Sequence, residues 1–114
     1  MFQRLFQNKN SVPSIPATEA WKRLSSQDAK PVLIDVREEW EYRGGHARGA
    51  KNIPLSQLSK RVQEIPEDRE ILCICQSGHR SMQAAQFLQQ QGRNNVINIS
   101  GGTSIWRLHK LPVE

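Results

Sequence analysis

Cysteine is scarce in this chain of 114 residues: only Cys73 and Cys75 are present, both in one short stretch. Two thiols that close cannot make the disulfide framework of a small secreted domain. The Cys-x-Cys pair has no second ligand pair at metal spacing, so no metal site is expected. Long apolar runs are missing too, and no integral membrane segment is expected. The N-terminus has no apolar core of the kind a secretory signal carries. Together these absences point to a reducing, cytoplasmic compartment, which also suits a working thiol. Internal repeats and low-complexity linkers are lacking, and the length suits one domain with an ordinary core.

Charge is not balanced. The formal net charge is +5, and ten of the sixteen basic residues are arginines spread from Arg4 to Arg107. Such a surface favours anionic ligands in general. Aromatic residues make up only 6% of the chain, and none interleaves with a basic stripe. Nucleic acid is therefore not an expected partner.

The pattern that is present alternates strands with helices. Val12–Ile15 reads as a short edge strand, with Pro13 tolerable there. Ala17, Ala20, Trp21 and Leu24 form the inner stripe of a helix that follows. Val32–Val36 reads as a buried strand, 38–43 as a helical turn closed by Gly44-Gly45, and Lys51–Ile53 as a third strand. Leu55, Leu58, Val62 and Ile65 recur at helical spacing, which predicts a helix over about 56–64. Asn95–Ile99 is the last strand, and 104–108 the last helix. This order predicts an α/β fold, with a mostly parallel central sheet of about five strands flanked by helices on both faces. Residues 1–14 read as an N-terminal extension and 15–114 as the folded domain. Phe2, Leu5 and Phe6 have helical spacing, either as an amphipathic anchor or as part of a loosely ordered extension.

The stretch from Ile71 to Ser81 organises the rest. Ile71–Ile74 is apolar on both parities, as a strand covered on both faces should be. A polar loop with a glycine follows, and a helix is predicted over 81–91, with Gly92 as its stop. Cys75 thus stands where a strand ends. In a parallel sheet that is where ligands bind. Inward-turned loop N–H groups and a helix N-terminus stabilise a thiolate there, and Arg80 adds positive charge. The same cradle holds an anion against the sulfur, which suggests covalent catalysis on an anionic substrate. Cys73 lies inside the strand and reads as core.

Two enzyme classes use such a loop. Protein tyrosine phosphatases place five residues between the nucleophilic cysteine and the loop arginine; here there are four, Gln76, Ser77, Gly78 and His79. The shorter loop resembles that of rhodaneses, the sulfurtransferases. Val32-Leu33-Ile34-Asp35-Val36-Arg37 with Glu41, Gly45-His46, Gly49-Ala50 and Asn52-Ile53-Pro54-Leu55 resembles the N-terminal signature of that family. Cys75-Gln76-Ser77-Gly78-His79-Arg80-Ser81 resembles its active-site loop. Gly101-Gly102 with Trp106, then Leu111-Pro112-Val113, resembles its C-terminal end.

The resemblance implies a Cys75 persulfide formed from a small anionic sulfur donor such as thiosulfate. The sulfur then passes to cyanide, a thiol or a protein acceptor, with no cofactor. It implies substrate binding by Gln76, Ser77, Gly78, His79 and Arg80, with Asp35 framing the pocket. Gln76 stands where many rhodaneses carry a basic residue, which turns the expectation away from thiosulfate as the best donor. The Arg80 fork either orients substrate oxygens or pairs with a carboxylate. Arg37 and Glu41 read as internally bonded, to the backbone or to each other, His46 as a structural hydrogen bonder and Trp106 as core or pocket wall. The alternatives are a phosphatase or arsenate reductase on a related scaffold, and a non-catalytic binding or sulfur-relay module.

Overall fold

The computed structural model describes residues 11–26, 28 and 30–114. The Phe2, Leu5 and Phe6 stripe and most of the 1–14 extension lie outside the described residues. Eleven elements follow in order: β1 (Ser14–Pro16), α1 (Ala17–Leu24), β2 (Val32–Asp35), α2 (Glu39–Arg43), β3 (Lys51–Asn52), two 3₁₀ segments (Leu55–Lys60 and Val62–Glu64), β4 (Ile71–Ile74), α3 (His79–Gln90), β5 (Val96–Ser100) and α4 (Gly102–Leu108). The strands form one five-stranded sheet in the order β1-β5-β4-β2-β3, and every pairing is parallel. Among the described residues no helix is long and apolar enough to cross a membrane.

The period-2 alternation of the central strands divides the core into two layers. Ile71 and Cys73 of β4, with Val96 of β5, face Ala84, Ala85 and Leu88 of α3. Leu72 and Ile74, with Ile97 and Ile99, face Ala17 and Ala20 of α1 and Trp106 of α4. Both faces of β4 are thus covered, and all four of its residues are buried. Trp106 is fully buried, donates its ring N–H to Pro112 O at 2.8 Å, and meets Trp21 edge-on at 6.0 Å. It is a core residue.

Four local expectations shift, the last helix among them, which begins at Gly102 inside the glycine pair and not at Ser104. The edge strand is Ser14–Pro16, two residues later than the apolar pattern suggested. Helix α3 begins at His79 and not Ser81, so the loop between strand and helix is tighter. The helix expected over 56–64 is instead two 3₁₀ segments that meet at Arg61, whose φ is −124°. Gln57 N–H bonds Pro54 O, Arg61 N–H bonds Leu58 O and Ile65 N–H bonds Val62 O, all three residues apart. Leu55–Leu58 and Val62–Ile65 share that spacing of three, which a 3₁₀ turn aligns and an α-helix only approximates. Pro54 and Pro66 leave little chain in which a longer helix could nucleate.

Candidate active site

Cys75 follows the last residue of β4, and Gly78 caps α3 with φ +106°. Only glycine takes that conformation without strain, and it folds the chain back over the sulfur. Gly78 N–H donates to Cys75 Sγ at 3.1 Å, and the Ser81 hydroxyl lies 3.3 Å from the same atom. Cys75 is 1% exposed, so its thiol is enclosed by its own loop. Burial pushes this thiol up. The Ser81 hydroxyl, whenever its proton faces the sulfur, and the backbone N–H groups of Ser81, Gly78 and Ser77 outweigh burial and hold it below its ordinary value. Cys73, fully buried without that cradle, is pushed up to about 12 by desolvation and, less, by the neighbouring Cys75.

The loop's N–H groups turn inward because its carbonyls are held on the other side. Thr103 donates to Cys75 O twice, from its N–H at 2.8 Å and from its hydroxyl at 3.1 Å. Ser104 N–H donates to Gln76 O at 3.1 Å, and the Gln76 amide reaches back to the Ser104 hydroxyl at 2.9 Å. The first turn of α4 has free N–H donors, as every helix start does, and here they bind the Cys75 loop. That seating needs Gly101 and Gly102, both at positive φ. A Cβ on Gly102 would run into the Cys75 and Gln76 carbonyls.

Arg80 faces a carboxylate. Its two Nη atoms lie 2.7 and 3.0 Å from the Glu41 oxygens. The Arg80 guanidinium, with a smaller part from the Glu38 N–H, holds the Glu41 carboxyl down to about 2 against the opposing effect of burial. Glu41 thus does not pair with Arg37, but the backbone alternative holds for both: Arg37 Nη2 donates to Gly45 O at 2.9 Å, and Glu41 Oε1 accepts from Glu38 N–H at 2.9 Å. Arg37 instead grips Asp35 through Nε at 3.1 Å and Nη2 at 2.8 Å, and Asp35 is fully buried. The Asp35 carboxylate is occupied inside the protein, at the end of β2 beside β4. Of the other loop residues, Gln76, Ser77 and His79 are exposed, and His79 Nδ1 lies 3.2 Å from the Ser77 hydroxyl. His46 bonds Tyr42 O at 2.9 Å and stacks on the Tyr42 ring at 3.7 Å, a structural role. No group of His, Cys, Asp and Glu suited to a metal occurs among the described residues.

Sequence reasoning missed Thr103 and Asn98, and it left Ser81 as a letter in the motif. Thr103 follows a glycine pair that was recognised, but only the packing of α4 on the loop reveals its two bonds.

A five-stranded parallel sheet with a thiolate-stabilising loop at the end of a central strand is the arrangement that the resemblance to rhodaneses implied. The chain belongs to the rhodanese-like domain family, whose model matches residues 16–109. A putative sulfur carrier protein of Bacillus subtilis, YrkF, is 40% identical over 100 residues, covering 88% of this chain and 54% of that protein. The chain therefore spans about half the length of this curated relative. A protein named sulfurtransferase from Allochromatium vinosum is 39% identical over 82 residues, covering 72% of this chain and 77% of its own. A crystal structure of a rhodanese-related protein from Thermoplasma volcanium superposes with a TM-score of 0.81 at 30% identity, over 90% of this chain and 97% of the other.

Proposed function

We propose that the chain is a sulfurtransferase that moves a sulfane sulfur through a Cys75 persulfide. The Cys75 thiolate attacks the outer sulfur of a donor such as thiosulfate. A bond forms between the two sulfurs, the donor's sulfur–sulfur bond breaks, and sulfite leaves with the electron pair. The outer sulfur of the persulfide then carries the charge among the loop N–H groups. A thiophilic acceptor, cyanide or a thiol, takes that sulfur, and the Cys75 thiolate returns. No cofactor enters either step. The observation that carries this reading is the enclosed Sγ, held by Gly78 N–H at 3.1 Å beneath a loop whose carbonyls bind α4.

One feature favours protein partners over a free dianion. Arg80 is paired with Glu41, and the residue after the nucleophile is the neutral Gln76. The loop mouth thus offers amides and the His79 ring, and no unpaired arginine from the loop itself. A persulfide on a partner protein in the cytoplasm, passed on to a thiol acceptor, fits that mouth. In this reading the chain works as a sulfur relay, in line with a relative named a sulfur carrier.

Mass measurement of the purified protein after thiosulfate, with and without cyanide, tests the reaction. The expected result is a gain of one sulfur atom that cyanide reverses and Cys75→Ser lacks. Hydrolysis of an aryl phosphate well above a Cys75→Ser control, with no sulfur gained, would make it a phosphatase.

A further inference from the structure

We propose that Asn98 is a positioning residue for Cys75 that competes with the sulfur for the one hydroxyl proton of Ser81. The proposal rests on the reading of Cys75 as the working nucleophile.

The register of β4 and β5 sets Asn98 beside Cys73, on the sheet face that carries Cys75 and receives α3. Asn98 is 3% exposed and Ser81 fully buried. The Ser81 Oγ stands 3.3 Å from Cys75 Sγ and 2.6 Å from Asn98 Oδ1. A serine hydroxyl has a single proton to donate. The contact to the amide oxygen is at the short, strong end of the range for such bonds. Asn98 is itself held, with its Nδ2 donating to the Ser14 hydroxyl at 3.2 Å and its backbone N–H to Pro13 O at 2.9 Å. Those bonds aim its oxygen at Ser81. With the proton on Asn98, the thiolate rests on backbone N–H groups alone.

The consequence is chemical. A less stabilised thiolate is the better nucleophile, whereas a more stabilised one is the better leaving group. During charging, the Ser81 proton faces Asn98. During discharge the acceptor bonds the outer sulfur, the sulfur–sulfur bond breaks, and its electron pair returns to Cys75 Sγ. Rotation of the Ser81 hydroxyl then turns its proton to that sulfur. The proton is redirected, not transferred, and no heavy atom moves. The charged and titratable groups around the sulfur are Arg80 and His79 of α3, Glu41 of α2, Cys73 of β4 and the Asp35–Arg37 pair at the end of β2. From β1 and β5 come the neutral Ser14 and Asn98, and from the first turn of α4 the neutral Thr103 and Ser104.

The test is the pH profile of Cys75 alkylation by iodoacetamide in the full chain, read by peptide mass. It compares wild type, Ser81→Ala, Asn98→Leu and the double variant. Freeing the hydroxyl should give the thiolate one more charge-assisted hydrogen bond, so Asn98→Leu should lower the midpoint by about one pH unit. Its plateau rate at high pH should fall about threefold, because the better-stabilised thiolate is the weaker nucleophile. Ser81→Ala alone should move the midpoint by less than about half a unit. The double variant should stay within about the same margin of Ser81→Ala, as expected for an effect that passes through Ser81. An unchanged or raised midpoint in Asn98→Leu overturns the proposal, as does a larger shift in Ser81→Ala. Should Asn98→Leu not fold, as judged by circular dichroism, the Ser81→Ala arm decides alone. Alkylation needs no sulfur donor, so failure of thiosulfate to charge Cys75 would sink the functional reading and leave this competition standing.

Discussion

Arg80 grips Glu41 with both arms of its guanidinium, from thirty-nine residues away in sequence. The pair ties α2 to the first turn of α3, directly behind the loop that holds Cys75. On the other side Thr103 holds the Cys75 carbonyl. The loop is thus followed by a turn tied to α2 and has its first two carbonyls held by α4.

The Glu41 carboxyl gives a pH signature. Its folded value, about 2, lies below its ordinary 4.5. Its contribution to stability is therefore complete above about 4.5 and lost as pH falls toward 2. The melting temperature of wild type should exceed that of Glu41→Gln at pH 7, and the gap should close across that window. A gap that persists at the acid end would mean the pair contributes nothing through charge.

Arg80→Ala should harm chemistry more than folding. The Arg80 side chain is 37% exposed, so the ion pair is worth about 1 kcal/mol or less. That corresponds to a melting shift of a few degrees. Charging of Cys75 should slow by roughly tenfold or more, the effect of losing a charge-assisted contact that orders the loop. Stopped-flow charging alongside calorimetry checks this. A large melting loss with normal charging would make Arg80 purely structural.

The two thiols should behave as different chemicals. At neutral pH iodoacetamide should modify Cys75 and spare Cys73, whose thiol is pushed up to about 12. Cys73→Ser should keep persulfide formation and lose about 1–3 kcal/mol of stability from a buried hydroxyl. Cys75→Ser should keep the fold and lose the persulfide. Failure of a well-folded Cys73→Ser to charge would replace the one-cysteine mechanism with a two-thiol exchange.

A pair of glycine substitutions separates backbone strain from collision. Gly92 has φ +92° and open space around it, so Gly92→Ala should cost only the left-handed penalty of about 1–2 kcal/mol. Gly102, at φ +55°, would place its new methyl on the Cys75 and Gln76 carbonyls. Gly102→Ala should therefore cost more, and it should also raise the alkylation midpoint of Cys75 by unseating the loop. Equal costs with unchanged alkylation would show that α4 does not position the loop.

Much of this protein was legible in its sequence, because the relevant physics is local. Apolar parity in Ile71–Ile74, a glycine in the next turn and helical spacing after it placed Cys75 at a strand end before a helix. The alternation of strands and helices implied a parallel sheet, and a parallel sheet places its binding edge at that same end. Even the α-helix expected over 56–64, which forms as two 3₁₀ segments, reflects a local ambiguity, since spacing of three fits a 3₁₀ turn as well as it fits one side of an α-helix. What only the tertiary structure decided are the partners. The strand order β1-β5-β4-β2-β3 sets Asn98 beside Cys73, and packing across the sheet sets Thr103 against the Cys75 carbonyl. The same packing brought Arg80 to Glu41, thirty-nine residues away in sequence, while Arg37 keeps to Asp35, two residues away, and to Gly45 O. Hydrogen bonds and ion pairs act over about 3 Å, and which groups come that close depends on how the whole chain closes.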